Sequence, residues 1–145
     1  MNIPAPTPAN ATLTVSKDAK GALQYAWSGS YINSTGDFDF TSVKGPIQVT
    51  LTISTNLQIS YCLPAAQTMW LGQAGPIKPT QPYSGTEFSA PTFPTGAANA
   101  LQWTDQNSDG LTYEYILLLW EVDAGHPTGV RIKVDPRVIN RGASK

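Results

Sequence analysis

The chain has 145 residues and a formal net charge of −1, so it lacks the basic footprint of a nucleic-acid binder. With 13% charged and 41% apolar residues it is too apolar for intrinsic disorder, and its length suits one domain with a core of its own. One histidine and one cysteine exclude zinc fingers, histidine clusters and an internal disulfide.

The N-terminus, Met1-Asn2-Ile3-Pro4-Ala5-Pro6-Thr7-Pro8, is proline-rich and uncharged. It lacks the basic start and apolar run of a secretory signal, and its proline spacing predicts an extended arm over residues 1–10. The longest apolar run, Ile116-Leu117-Leu118-Leu119-Trp120, falls far short of a membrane span, and the lone Cys62 suits a reducing compartment. The expectation is a soluble protein, cytoplasmic by default, with residues 11–145 forming one domain.

From residue 12 onward the apolar period is two, the signature of half-buried strands. Leu13 and Val15 alternate with threonine and serine; Leu23, Tyr25 and Trp27 follow, then Phe38 and Phe40. Ile47, Val49, Leu51 and Ile53 form the clearest case. Leu57, Ile59 and Tyr61 repeat the pattern after Ser54-Thr55-Asn56, which predicts a β-hairpin between the two runs. A single helical turn is expected near residues 65–71. Leu101 and Trp103 mark another strand, and residues 111–135 predict a final long hairpin. Many short strands between Gly, Pro and Asn clusters point to an all-β antiparallel sandwich of about seven to nine strands.

Residues 64–96 stand apart, with six prolines together with Trp70, Tyr83, Phe88 and Phe93. A structureless segment of this length is uncommon in a compact domain, so it holds short edge strands, one candidate being residues 87–90, or forms a packed functional loop. The four aromatic residues either cap the core or present ring faces to a ligand, and the low charge and many hydroxyls around them suit a neutral glycan.

The loop Thr104-Asp105-Gln106-Asn107-Ser108-Asp109-Gly110 supports two readings. Asp105, Asn107 and Asp109 with Gly110 match the first half of an EF-hand calcium loop, where alternate oxygens converge on a hard cation. The second half is missing, since Ile116 occupies the twelfth position and no helix follows, so any calcium site would be of another type. Asp and Asn also favour such turns by bonding their own backbone.

The same loop, with Asp109 four residues before Tyr113 and Tyr115 two beyond it, resembles the tyrosine corner of immunoglobulin-like sandwiches. The resemblance implies that the Tyr113 hydroxyl ties back to the loop, that Tyr115 takes a core position, and that Trp27 serves as the core tryptophan. The cysteine pair of antibody domains is absent. Together with the tail Val134-Asp135-Pro136-Arg137-Val138-Ile139-Asn140-Arg141-Gly142, the loop is similar to small uncharacterised β domains of bacteria, a likeness that implies no activity.

Catalytic chemistry is thinly represented. His126 lies in a turn-like stretch, Cys62 ends an apolar strand, and neither a nucleophile elbow nor a phosphate-cradling loop is present. Asp37 and Asp39 share a strand face and would suit paired-carboxylate chemistry, but alternation with Phe38 and Phe40 explains them equally. The run around Ile116, Leu118 and Trp120 is apolar on both faces, which predicts that something covers the outer face, a twin subunit being one choice. The expectation is a non-catalytic interaction or structural module without cofactor. It would self-associate through Ile116, Leu118 and Trp120, or bind carbohydrate or protein through residues 64–96.

Overall fold

The computed structural model describes residues 5–62, 64–75, 79, 81–123, 126–134 and 137–139. In chain order the strands are β1 (Thr7–Lys17), β2 (Leu23–Gly29), β3 (Phe38–Asp39), β4 (Ile47–Ser54), β5 (Ile59–Tyr61), β6 (Met69–Gln73), β7 (Ala100–Asp105), β8 (Thr112–Asp123), β9 (His126–Val134) and β10 (Arg137–Ile139). A 3-10 turn, Ala65–Gln67, separates β5 from β6, where one helical turn is predicted.

These strands make two sheets packed into an all-β sandwich. The first runs β2-β1-β4-β7. In the second, β8 is central; β5 and β6 line one side of it, β9 and β10 the other, and β3 joins beyond β10. Most pairs are antiparallel as expected, but β1 lies parallel to β4 and β3 parallel to β10. The long hairpin forms as β8 and β9; its turn residues Ala124 and Gly125, and Asp135, Pro136 and 140–145 of the tail, lie outside the described residues.

The alternation buries what it predicts. Leu13, Val15, Leu51, Leu101 and Trp103 from the first sheet meet Phe38, Tyr61, Tyr115, Leu117 and Leu119 from the second. The core tryptophan is Trp103, not Trp27. Trp103 lies in β7 with Phe38 and Tyr115 about it, ring centroids 6.2 and 6.1 Å away, whereas Trp27 sits half-buried on β2 at the sheet's margin. Spacing alone does not say which strand is central.

Two other expectations change. Strand β1 begins at Thr7, inside the predicted arm, and Ala9 is fully buried. The Thr7 N–H donates to Pro46 O at 2.9 Å, so the odd-numbered amides of β1 face β4. Pro8 faces the other way, where β2 has already ended opposite Ala11, and its missing N–H costs no ladder bond. The predicted hairpin of β4 with β5 does not form, because the two strands belong to opposite sheets. The connection crosses the sandwich instead: Thr55 Oγ1 donates to Val15 O at 2.7 Å, and the Tyr61 hydroxyl donates to Leu51 O at 2.9 Å. Both strands alternate because both line one core from opposite sides.

Candidate functional site

The proline-rich segment is a crossover, not a free loop. Leaving β6, it bridges Trp70 through Pro82, then moves to the first sheet, where Phe88 bridges Asp105 and Thr92 bridges Gln102. It therefore closes one side of the sandwich. Its four aromatic residues go to three places. Phe88 is buried, and Tyr83 stands edge-on to it and to Tyr113, with centroids 5.3 and 6.0 Å away. Phe93 stacks on Tyr61 at 6.3 Å. Trp70 lies half-buried beside a depression in the second sheet's outer face.

That outer face is concave beside Trp70 and Trp120. Even-numbered residues of β8 point away from the core. Glu114, Ile116 and Leu118 are nonetheless 2%, 6% and 3% exposed, whereas Trp120 is 37% exposed. The own chain encloses Leu118. Its N–H donates to Thr68 O at 2.7 Å and its carbonyl accepts from Cys62 N at 3.0 Å, so the β5–β6 interruption folds around it. The Thr68 hydroxyl ties this interruption to Cys62 O and Pro64 O. Ile116 lies in register with Trp70, and Trp120 between Ser60 and Arg131.

Two adjoining hollows result. One, of about 360 Å³, is lined by Ser60, Tyr61, Cys62, Ala98, Trp120 and Arg131. The other, of about 250 Å³, is lined by Cys62, Gln67, Trp70, Pro82, Leu118 and Arg131. Cys62 and Arg131 belong to both, so the hollows read as one groove with an indole near each end and a cation between. Burial pushes the Cys62 thiol up, and the adjacent Arg131 guanidinium only partly offsets it. Trp120 is seated over Gly129, which has φ +95° and where any Cβ would run into the indole ring.

The Asp-rich loop is knitted to the protein by its own side chains. Asp105 accepts from Asn107 N at 2.8 Å; Asn107, at φ 55°, donates to Phe40 O and Val43 O at 3.2 and 2.8 Å. Asp109 accepts from Leu111 N at 2.9 Å and from the Tyr113 hydroxyl. The three candidate calcium ligands are thus turned to separate partners, and among the described residues no group of three or more His, Cys, Asp or Glu residues is arranged to hold a metal. The key carboxylate here is Glu87, which the sequence did not single out. It is 7% exposed and accepts from Ser108 N, Ser108 Oγ and Asp109 N at 2.7, 2.6 and 3.0 Å. Only its place in the Pro-rich crossover, facing an Asx loop, would have hinted at this.

Asp37 and Asp39 do share a face, beside a shallow hollow with Tyr31, Asn33, Thr41 and Ser42. Asp37 accepts from Thr35 Oγ1 at 3.1 Å and Asp39 from Thr41 N and Oγ1 at 3.0 and 2.6 Å, so both act in local turns. His126 opens β9. No helix among the described residues is long and apolar enough to cross a membrane. Compared with known protein families and with curated proteins, the chain matches none.

Proposed function

We propose that this β-sandwich is a non-catalytic binding module whose groove between Trp70 and Trp120 holds a carbohydrate. The observation that carries the reading is the groove's make-up: two indoles line it, a residue type suited to the C–H faces of sugar rings, with Arg131, Gln67 and Ser60 between them for hydroxyls or a carboxylate. Trp70 comes from the predicted aromatic segment; Tyr83, Phe88 and Phe93 serve the core instead. Tryptophan fluorescence titrated with neutral and uronic-acid oligosaccharides tests it. A saturable change is expected that Trp120→Ala abolishes; silence across both sets overturns it.

The second reading is self-association through the same outer face, favoured by the 37% exposure of Trp120 on an otherwise closed apolar strand. Ile116 and Leu118 would then support Trp120 from beneath. Light scattering on the wild type and on Trp120→Lys decides between dimer and monomer.

An immunoglobulin-like variant of the sandwich is the finer fold assignment we favour. It is supported by the Tyr113 hydroxyl, which ties to Asp109 in the preceding loop as in a tyrosine corner, though to a carboxylate and not to the backbone. Burial, with Asp109 beside it, pushes the Tyr113 phenol up and keeps it a donor.

A further inference from the structure

An edge strand exposes a row of unpaired backbone groups, and folded proteins blunt such edges with charge, proline, brevity or cover. Four of this sandwich's edge strands are treated so. Phe88 and Thr92 bridge to β7, and Pro82 bridges to β6. Strand β3 has only two residues. Strand β9 carries Pro127, Arg131 and Lys133. Among the described residues strand β2 shows none of these devices: Leu23–Gly29 is seven residues without charge or proline, at the margin of its sheet.

The direction of its backbone groups follows from the ladder. Asp18 N donates to Ala22 O at 2.9 Å and Ser30 N to Asn10 O at 3.0 Å, bracketing the β1–β2 pairing in one register. Even-numbered residues of β2 therefore bond β1, and Leu23, Tyr25 and Trp27 turn their N–H and C=O outward. Their side chains share the core-facing side, opposite Lys17, Val15 and Leu13; Trp27 packs on Gly36, and Tyr25 reaches beyond the core's cover. Leu23 and Trp27 are half-buried and Tyr25 is 36% exposed.

We propose that β2 is a self-pairing edge, at which two copies of this chain join antiparallel about Tyr25 into one continuous eight-stranded sheet. Leu23 of each copy faces Trp27 of the other, and the two Tyr25 residues face each other. Gly29, at φ 133°, leaves the extended region and limits the pairing to these residues. A second copy is the favoured occupant because its Tyr25 covers the exposed Tyr25 here and its Leu23 lies on the half-buried Trp27. Antiparallel pairing also sets Lys20 of one copy opposite Ser30 of the other and Asp18 opposite Ile32, so no like charges meet.

Sedimentation at concentrations up to about 100 μM, which would reveal a micromolar dissociation constant, should show a dimer. Tyr25→Lys should make it a monomer by setting two ammonium groups face to face. Amide exchange supplies the internal control: Gln24, Ala26 and Ser28 stay protected in wild type and variant, which shows that β2 is folded. Leu23, Tyr25 and Trp27 should gain protection only as concentration rises. A wild type that stays monomeric overturns the proposal. So does a dimer that survives Tyr25→Lys but fails in Trp120→Lys, and so does protection of the odd-numbered amides gained only with an added foreign peptide. Oligosaccharide binding by Tyr25→Lys is scored separately, so failure at this edge and failure at the groove are distinguishable.

Discussion

The outer faces of the two sheets are built from opposite materials. The first presents Thr12, Thr14, Gln48, Thr50, Thr52, Gln102 and Thr104, with Gln102 Nε2 donating to Thr50 Oγ1 at 3.0 Å. The second presents Ile116, Leu118 and Trp120 on its central strand, with Ile116 and Leu118 buried, Trp120 exposed, and the β5–β6 interruption bonded alongside Leu118. A hydroxyl-bearing face meets water without help. An apolar one must be covered, and the covering turn and strands are what shape the groove. The concavity is thus a by-product of how the second sheet hides its apolar strand.

The largest expected effect breaks this contrast directly. Leu118→Ala should destabilise by about 2–4 kcal/mol although it lies outside the inter-sheet core, because it leaves a cavity beneath the turn. Chemical denaturation measures it, and a loss below that of an exposed residue would show that the outer face is open. Next, Glu87→Ala should cost about 2 kcal/mol by leaving the Ser108 and Asp109 amides without their acceptor. That result would place the polar contribution to stability at the buried rim loop and not on the threonine face.

The third prediction concerns the inner side of the second sheet, which supplies both fully buried phenols. Burial pushes the Tyr61 and Tyr115 hydroxyls well above their ordinary range. Unfolded tyrosines release their protons at about pH 10, while the folded ones keep theirs. Stability is therefore complete below that pH and falls as pH rises beyond it. Tyr61→Phe should make the alkaline slope of the denaturation free energy shallower; an unchanged slope would locate the titration elsewhere.

A smaller effect, about 1 kcal/mol, is expected for Gly129→Ala, which strains a positive φ and unseats the Trp120 ring. A shifted tryptophan emission maximum reports the displacement. The smallest belongs to Thr52→Ala on the first sheet's outer face, within about 0.5 kcal/mol of wild type. A larger loss there would mean that this face, too, is part of the packed structure.

Much of the architecture is legible in the order of the residues alone. Alternation marks inward residues wherever a strand borders one core, which is why Leu13, Val15, Leu51, Trp103 and Tyr115 were readable as buried. The groove was legible only in fragments: Trp70 by its proline-rich setting, Trp120 by the unbroken apolar run. Arg131, Gln67 and Ser60 gave no signal, since each looks like an ordinary surface residue until its neighbours are known.

The sequence by itself determined the element type, the buried side of most strands and the turn chemistry of the 105–111 loop, because these depend on contacts between residues near in the chain. Tertiary structure alone decided that β4 and β5 part company across the core, that β1 runs parallel to β4, and that Trp103 and not Trp27 lies at the centre. Those outcomes turn on which distant strands pair, and a period of two is the same whichever sheet a strand joins.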